Sequence, residues 1–247
     1  MNIRTLFGGF GLALLLAGCG GGDGNLAAAA GNDAAPLTQI AAPNGGNWAE
    51  IVSQTPEGGF RLGNPDAPVK LVEYASFTCP HCRDFAATAS EALRNTYVRS
   101  GQVSWEFRSF LLNAPDVALS LLAACQPPAA YFRTVDQLYA QQNEFMGNID
   151  DAERQRLQPL APEQMIAPLA RAMDLDTFFA RRGMPETRFD QCLASRQAVQ
   201  QLTDANERAV SREGVTGTPT FFINGERLEN VADWPGLEPR LRTAIGS

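Results

Sequence analysis

The chain holds a single histidine, His81, in 247 residues, and that scarcity weighs against a zinc centre. A structural zinc site needs four ligands. Cys79, His81 and Cys82 are too tightly spaced to serve one together, and no second histidine or nearby cysteine pair completes the set. No metal is therefore expected. Basic residues are also outnumbered, 20 Lys and Arg against 27 Asp and Glu, giving a net charge of −7 and a pI near 4.8. No Lys/Arg cluster of the kind that phosphate binding needs is present, so nucleic acid is not an expected partner. The acidity itself speaks mainly of solubility. No apolar run reaches the ~20 residues of a membrane-spanning helix, and there is no internal repeat or heptad pattern.

What is present begins with an export pattern. Arg4 gives a short, singly positive leader, and residues 6–17 are almost wholly apolar, the length of a signal-peptide core. Residues 1–18 read as that signal peptide. Its end, Leu16-Ala17-Gly18-Cys19, resembles the lipobox of bacterial lipoproteins, in which cleavage leaves the cysteine lipidated and N-terminal. Ordinary cleavage with Cys19 unmodified, or an uncleaved anchor, are the alternatives. Gly20 follows, not the Asp that resembles an inner-membrane retention signal, which favours the outer membrane. Five cysteines is an odd set for an exported protein. Lipidating Cys19 leaves Cys79, Cys82, Cys125 and Cys192, an even set for a compartment that permits disulfides. Residues 19–47 are rich in Gly, Ala, Asn and Pro; they read as a lipid-anchored flexible tether. Residues 48–247 are then one domain, or one domain carrying an insertion.

Within that domain, residues 63–68 are a turn cluster. Residues 69–77 read as a buried strand rich in β-branched and aromatic side chains. Cys79-Pro80 follows at once, and Pro is favoured in the first turn of a helix. Phe85, Ala86, Ala89, Leu93 and Tyr97 recur at helical spacing over residues 82–97, with Gly101 as the stop. Residues 102–111 alternate as a second strand, and the strand–helix–strand order implies a right-handed crossover in a parallel sheet. Residues 113–213 are helical in character, over 116–125, 130–142, 162–173 and 186–212. Strand character returns at 220–223, before the hairpin signal Asn224-Gly225, and residues 234–244 form a closing helix. The expected fold class is α/β, a sheet split in sequence by an all-helical insertion at about 113–213.

The chemistry concentrates at Cys79-Pro80-His81-Cys82. A cysteine at a helix N-terminus faces unpaired N–H groups and the positive end of the dipole, which favour its thiolate, and the thiolate is the reactive form. Cys82, one turn on, can close a disulfide or resolve a mixed one. Stabilising the thiolate stabilises the dithiol, so the disulfide becomes the stronger oxidant. The His81 ring, between the two sulfurs in sequence, can donate to the thiolate or sit electrostatically beside it; an inert surface histidine is the alternative. Glu73 stands six residues before Cys79 in an apolar strand, where burial would raise its pKa; a solvent-facing edge position is the alternative. Cys125 and Cys192 read as a structural disulfide closing a loop of nearly seventy residues, worth about 4 kcal/mol in the entropy model. Two buried free thiols would be the other state. The aromatics Phe77, Phe85, Trp105, Phe107, Phe221 and Phe222 read as core.

The stretch Leu71-Val-Glu-Tyr-Ala-Ser-Phe-Thr-Cys-Pro-His-Cys82, with Gly214-Val-Thr-Gly-Thr-Pro-Thr-Phe-Phe-Ile-Asn-Gly225 and a helical insertion between them, resembles the DsbA family of bacterial periplasmic disulfide oxidoreductases. The resemblance covers nearly all of residues 50–247. It implies a thioredoxin-like fold, with the insertion between a strand–helix–strand half and a C-terminal hairpin–helix half. It implies a cis Thr218-Pro219 bond facing the sulfurs, where Thr218 presents its backbone to an extended substrate, and a role for Glu73 in moving protons to or from Cys82. It further implies dithiol oxidation of unfolded or reduced exported proteins, no cofactor beyond the cysteines, and a membrane or soluble redox partner for recycling. The expected location is the periplasmic side of the cell envelope. A tethered reductase or isomerase is the alternative among enzymes; a non-redox chaperone or interaction lipoprotein is the alternative outside them.

Overall fold

Short β-branched and aromatic runs separated by turns build the sheet, and one of them leads into the Cys79-Pro80-His81-Cys82 motif. The computed structural model describes residues 37–246. Its strands are β1 (Val52–Gln54), β2 (Phe60–Leu62), β3 (Val69–Ala75), β4 (Val103–Ser109), β5 (Thr220–Ile223) and β6 (Glu226–Arg227). Their order is β1-β2-β4-β3-β5-β6. β3 and β4 run parallel, and the other neighbours pair antiparallel. Because β3 lies inside the sheet, its alternation puts Val69, Leu71 and Glu73 on one buried side. The turn at Asn224-Gly225 has positive φ at both residues, 51° and 85°, as a tight hairpin requires.

Between β3 and β4 runs α1 (Pro80–Ala92), which continues through a wider π-type turn at Leu93–Val98. Cys82, Phe85, Ala89 and Leu93, spaced three and four apart, are its buried stripe. α2 (Ala114–Ala124), α3 (Tyr131–Ala140), α4 (Gln142–Gly147), α5 (Asp151–Leu157), α6 (Pro162–Ala172), α7 (Leu175–Ala180), α8 (Glu186–Leu193) and α9 (Arg196–Ser211) form the insertion. α2 is nearly all apolar and is buried against α3, α6, α8 and α9. On the other side of the sheet, Ala209 of α9 packs with Tyr74, Phe110, Val215 and Phe222. α10 (Trp234–Ile245) closes the fold against α1 and β3. No helix among the described residues is long and apolar enough to cross a membrane.

Two expectations need correction. The tether does not extend to residue 47. Leu37 is buried in the core, Ile40 donates its N–H to Ser100 O at 2.7 Å, and Trp48 Nε1 donates to Ile40 O at 2.9 Å. Gly101 (φ 76°) lets this segment approach, since a Cβ there would lie 2.8 Å from Trp48 Nε1. A few apolar anchors in a Gly/Pro-rich stretch were enough to fix it. The signal peptide, Cys19 and residues 19–36 lie outside the described residues. Second, residues 186–212 are two helices, because Ser195 caps a new one by accepting from Ala198 N. β1 and β2, each three residues long, carry no sequence signal because they are too short to show a period.

Cys125, at the C-terminal end of α2, is joined to Cys192 of α8 as a disulfide with Cα atoms 6.1 Å apart. The bond closes a loop of 67 residues. Replacing both cysteines by alanine is expected to lower unfolding stability by about 2–4 kcal/mol in denaturant titration while leaving the Cys79–Cys82 couple able to exchange. An unchanged midpoint would show that helix packing alone holds this corner.

Candidate active site

β3 ends at Ala75, and Ser76–Thr78 then turns the chain so that Cys79 becomes the N-cap of α1, with Pro80 in the first turn. Cys79 and Cys82 are both buried free thiols. In its thiol form Cys79 Sγ donates to Thr218 O at 3.3 Å. Its pKa is lowered to about 5, first by a hydrogen bond from the Cys82 thiol, opposed by burial, and then by Thr218 and the backbone N–H groups of Cys82 and His81. Cys82 moves the other way. Burial raises its pKa, and the neighbouring Cys79 and Glu73 raise it further. One sulfur of the pair is therefore an anion at neutral pH and the other holds its proton. Pro80 and His81 are exposed, and the His81 backbone N–H reaches Cys79.

Glu73 sits on the inner strand and is 1% exposed, so the solvent-facing edge alternative is excluded. Trp105 Nε1 donates to its Oε2 at 2.9 Å. Burial raises its pKa from 4.5 to about 8 against that hydrogen bond. The Thr218–Pro219 bond is cis, and β5 begins directly after it. The Thr218 Oγ1 is buried without a hydrogen-bond partner. Among the described residues, no group of three or more His, Cys, Asp or Glu side chains could hold a metal ion.

The loop before Cys79 is held by the helical insertion, through contacts that no local sequence signal marks. Asp116 of α2 is fully buried and accepts from Ser76 Oγ (2.8 and 2.9 Å), Thr78 N (3.0 Å), Thr78 Oγ1 (3.1 Å) and Leu112 N (3.0 Å). Tyr139 of α3 donates its hydroxyl to Ser76 O at 3.1 Å. Gln142 of α4 donates from Nε2 to Phe77 O at 2.8 Å and Cys79 O at 2.9 Å. Burial raises the Tyr139 pKa well above 10, and Cys82, Glu73, Asp116 and Tyr131 add to the rise. These residues carry no local motif. Only the rule that a buried Asp or Gln must find partners could have flagged them, and that rule names no partner.

A sheet whose inner strand delivers Cys-X-X-Cys to a helix start, opposite a cis-proline loop, defines the thioredoxin fold. The all-helical insertion makes this protein DsbA-like. Residues 55–241 match the family described as Thioredoxin, and the chain belongs to that family. Among solved structures, it is similar to a protein-disulfide isomerase from Novosphingobium aromaticivorans, at 29% identity and TM-score 0.72, covering 76% of this chain and 97% of that one. It shares its fold with alpha-DsbA1 of Wolbachia pipientis, at 20% identity and TM-score 0.64, covering 81% and 96%. A Rickettsia bellii protein named for protein-disulfide oxidoreductase activity is 23% identical over 74% of this chain. The chain spans 63% of that relative's length and 56% of the Rickettsia typhi relative's.

The raised Glu73 pKa has a consequence for stability. The fold favours the protonated acid, so this stabilisation is complete below the ordinary value of 4.5 and is lost as pH rises through about 8. Glu73→Gln keeps an acceptor for Trp105 and removes the ionisation. Between about pH 5 and pH 9 the native protein should lose stability relative to this variant. Parallel stability–pH curves would contradict the assigned burial.

Proposed function

We propose that the protein is a thiol–disulfide oxidoreductase that donates disulfides to exported proteins through the Cys79–Cys82 couple. The observation that carries this reading is the opposed acidity of the two sulfurs, Cys79 lowered to about 5 and Cys82 raised. A stable Cys79 thiolate favours the dithiol product, and so makes the oxidised pair a strong acceptor of electrons. The reaction starts from the Cys79–Cys82 disulfide. A client thiolate attacks Cys79 Sγ, which forms the mixed disulfide and expels Cys82 as an anion. Cys82 takes a proton, and in this reading Glu73, half-protonated near pH 8, supplies it. The client's second thiolate then attacks the client sulfur of the mixed disulfide. The client leaves with its disulfide, Cys79 leaves as the thiolate, and two electrons have passed to the couple.

The cis Thr218–Pro219 loop faces the sulfurs through the Cys79 contact at Thr218 O, and its main chain suits an extended client segment. Recycling requires a membrane or soluble redox partner that accepts those electrons. Cys19 as a lipid anchor would place the domain on the periplasmic side of the bacterial cell envelope, with the outer membrane favoured by Gly20. A reductase or isomerase is the second reading, supported by the likeness to the Novosphingobium aromaticivorans isomerase.

Oxidised protein mixed in equal amount with a reduced, unfolded client is expected to convert client thiols to disulfides, and Cys79→Ser to abolish the conversion. Rapid rearrangement of scrambled disulfides with no net thiol loss would make the protein an isomerase. Equal client rescue by the Cys79→Ser, Cys82→Ser double variant would make it a chaperone or binding lipoprotein.

A further inference from the structure

We propose that Asp116, which touches neither sulfur, is the positioning residue that fixes where the Cys79 side chain lies relative to the start of α1 and to Thr218. The inference rests on the reading of Cys79 and Cys82 as the exchanging couple. Ser76–Thr78 belongs to neither β3 nor α1, so no ladder of regular structure sets its path. Its path is set by side chains of the insertion: Tyr139 and Gln142 hold its carbonyls, and Asp116 holds its hydroxyl and N–H donors. Asp116 gathers four donors, the Ser76 hydroxyl, the Thr78 N–H, the Thr78 hydroxyl and the Leu112 N–H, within 2.8–3.1 Å. None of these partners is a cation. An ionised carboxylate offers about four acceptor positions, and here all are filled.

The geometry passes directly to the sulfur. Cys79 N donates to Ser76 O at 3.2 Å, so moving Ser76 or Thr78 moves the Cys79 backbone. The Cys79 thiolate depends on the N–H groups of His81 and Cys82 that open α1, while its thiol form donates to Thr218 O at 3.3 Å. Hydrogen bonds weaken steeply once distance and angle drift. Asn113 reinforces the arrangement, since its Nδ2 donates to Thr78 Oγ1 at 2.7 Å and its Oδ1 accepts from Asp116 N. The acid thus sits in the first turn of α2 while aiming away from its own helix, at the loop of another element. From α3 the Tyr139 hydroxyl binds the same loop at Ser76 O, and its pKa is raised by burial and by Cys82, Glu73, Asp116 and Tyr131.

The sign of the effect separates position from charge. Removing a negative charge near Cys79 would by itself favour the thiolate and move its titration midpoint down. Losing the loop anchor moves the sulfur off its donors and raises the midpoint. In Asp116→Asn one oxygen becomes an amide donor aimed at donors. The test is the ultraviolet absorbance of the Cys79 thiolate against pH in reduced protein, with circular dichroism and melting temperature recorded alongside. Asp116→Asn should raise the midpoint by at least about one pH unit, a tenfold change in the ionisation equilibrium. The Ser76→Ala, Thr78→Val double variant, which leaves the carboxylate in place, should shift it the same way and decides the matter if Asp116→Asn does not fold. A lowered melting temperature with an unmoved midpoint, or a midpoint that falls, overturns the proposal. A native protein that exchanges no disulfides overturns the functional reading itself, which these variants do not test.

Discussion

The site depends on keeping two sulfurs, three residues apart on one helix, in opposite electrical conditions. Cys79 is the last residue before α1, where unpaired N–H groups and the helix dipole stabilise its anion. Cys82 lies a turn further in, fully buried, where an anion has no such donors and burial disfavours it. A sequence slip of one residue would lose both conditions. Pro80 helps to prevent it, because its fixed φ is already helical and its missing N–H costs nothing in the first turn. Glu73 extends the same logic to protons. Its carboxyl is buried in β3 with Trp105 donating to it, and burial raises its pKa to about 8.

The helical insertion acts on this site from three helices. α2 supplies Asp116, α3 supplies Tyr139 and α4 supplies Gln142, and each binds a different polar group of the loop before Cys79. Buried loop carbonyls left unpaired would each cost about 1–3 kcal/mol, so the insertion stabilises a conformation that the loop could not keep alone. The Cys125–Cys192 bond ties the far end of α2 to α8. The helix that carries Asp116 is therefore fixed at both ends, by hydrogen bonds at one and by a covalent bond at the other.

Much of this was legible in the amino-acid sequence where the signal is local. The Cys79–Cys82 motif at a strand-to-helix junction, the Asn224-Gly225 turn and the apolar stripe of α1 follow from spacing and residue type. Glu73 stood out because a carboxylate interrupts an apolar strand. What could not be read was contact across the chain. Gln142 looks like any helical glutamine until α4 is seen beside Phe77 and Cys79. Asp116 reads as an ordinary first-turn acid, favourable to the α2 dipole, although its oxygens serve another element. Leu37 and Ile40 were hidden for the opposite reason, since the composition around them is that of a linker. Fold class follows from periodicity; the support of the site depends on partners distant in sequence.

The central claim is that the fold stabilises the dithiol over the disulfide, and the equilibrium reduction potential of the Cys79–Cys82 couple, titrated against glutathione, tests it most directly. The Cys79 thiolate predicts a strongly oxidising value, toward about −120 mV. A value near about −270 mV, the thioredoxin range, would mean that electrons flow the other way and would contradict the account.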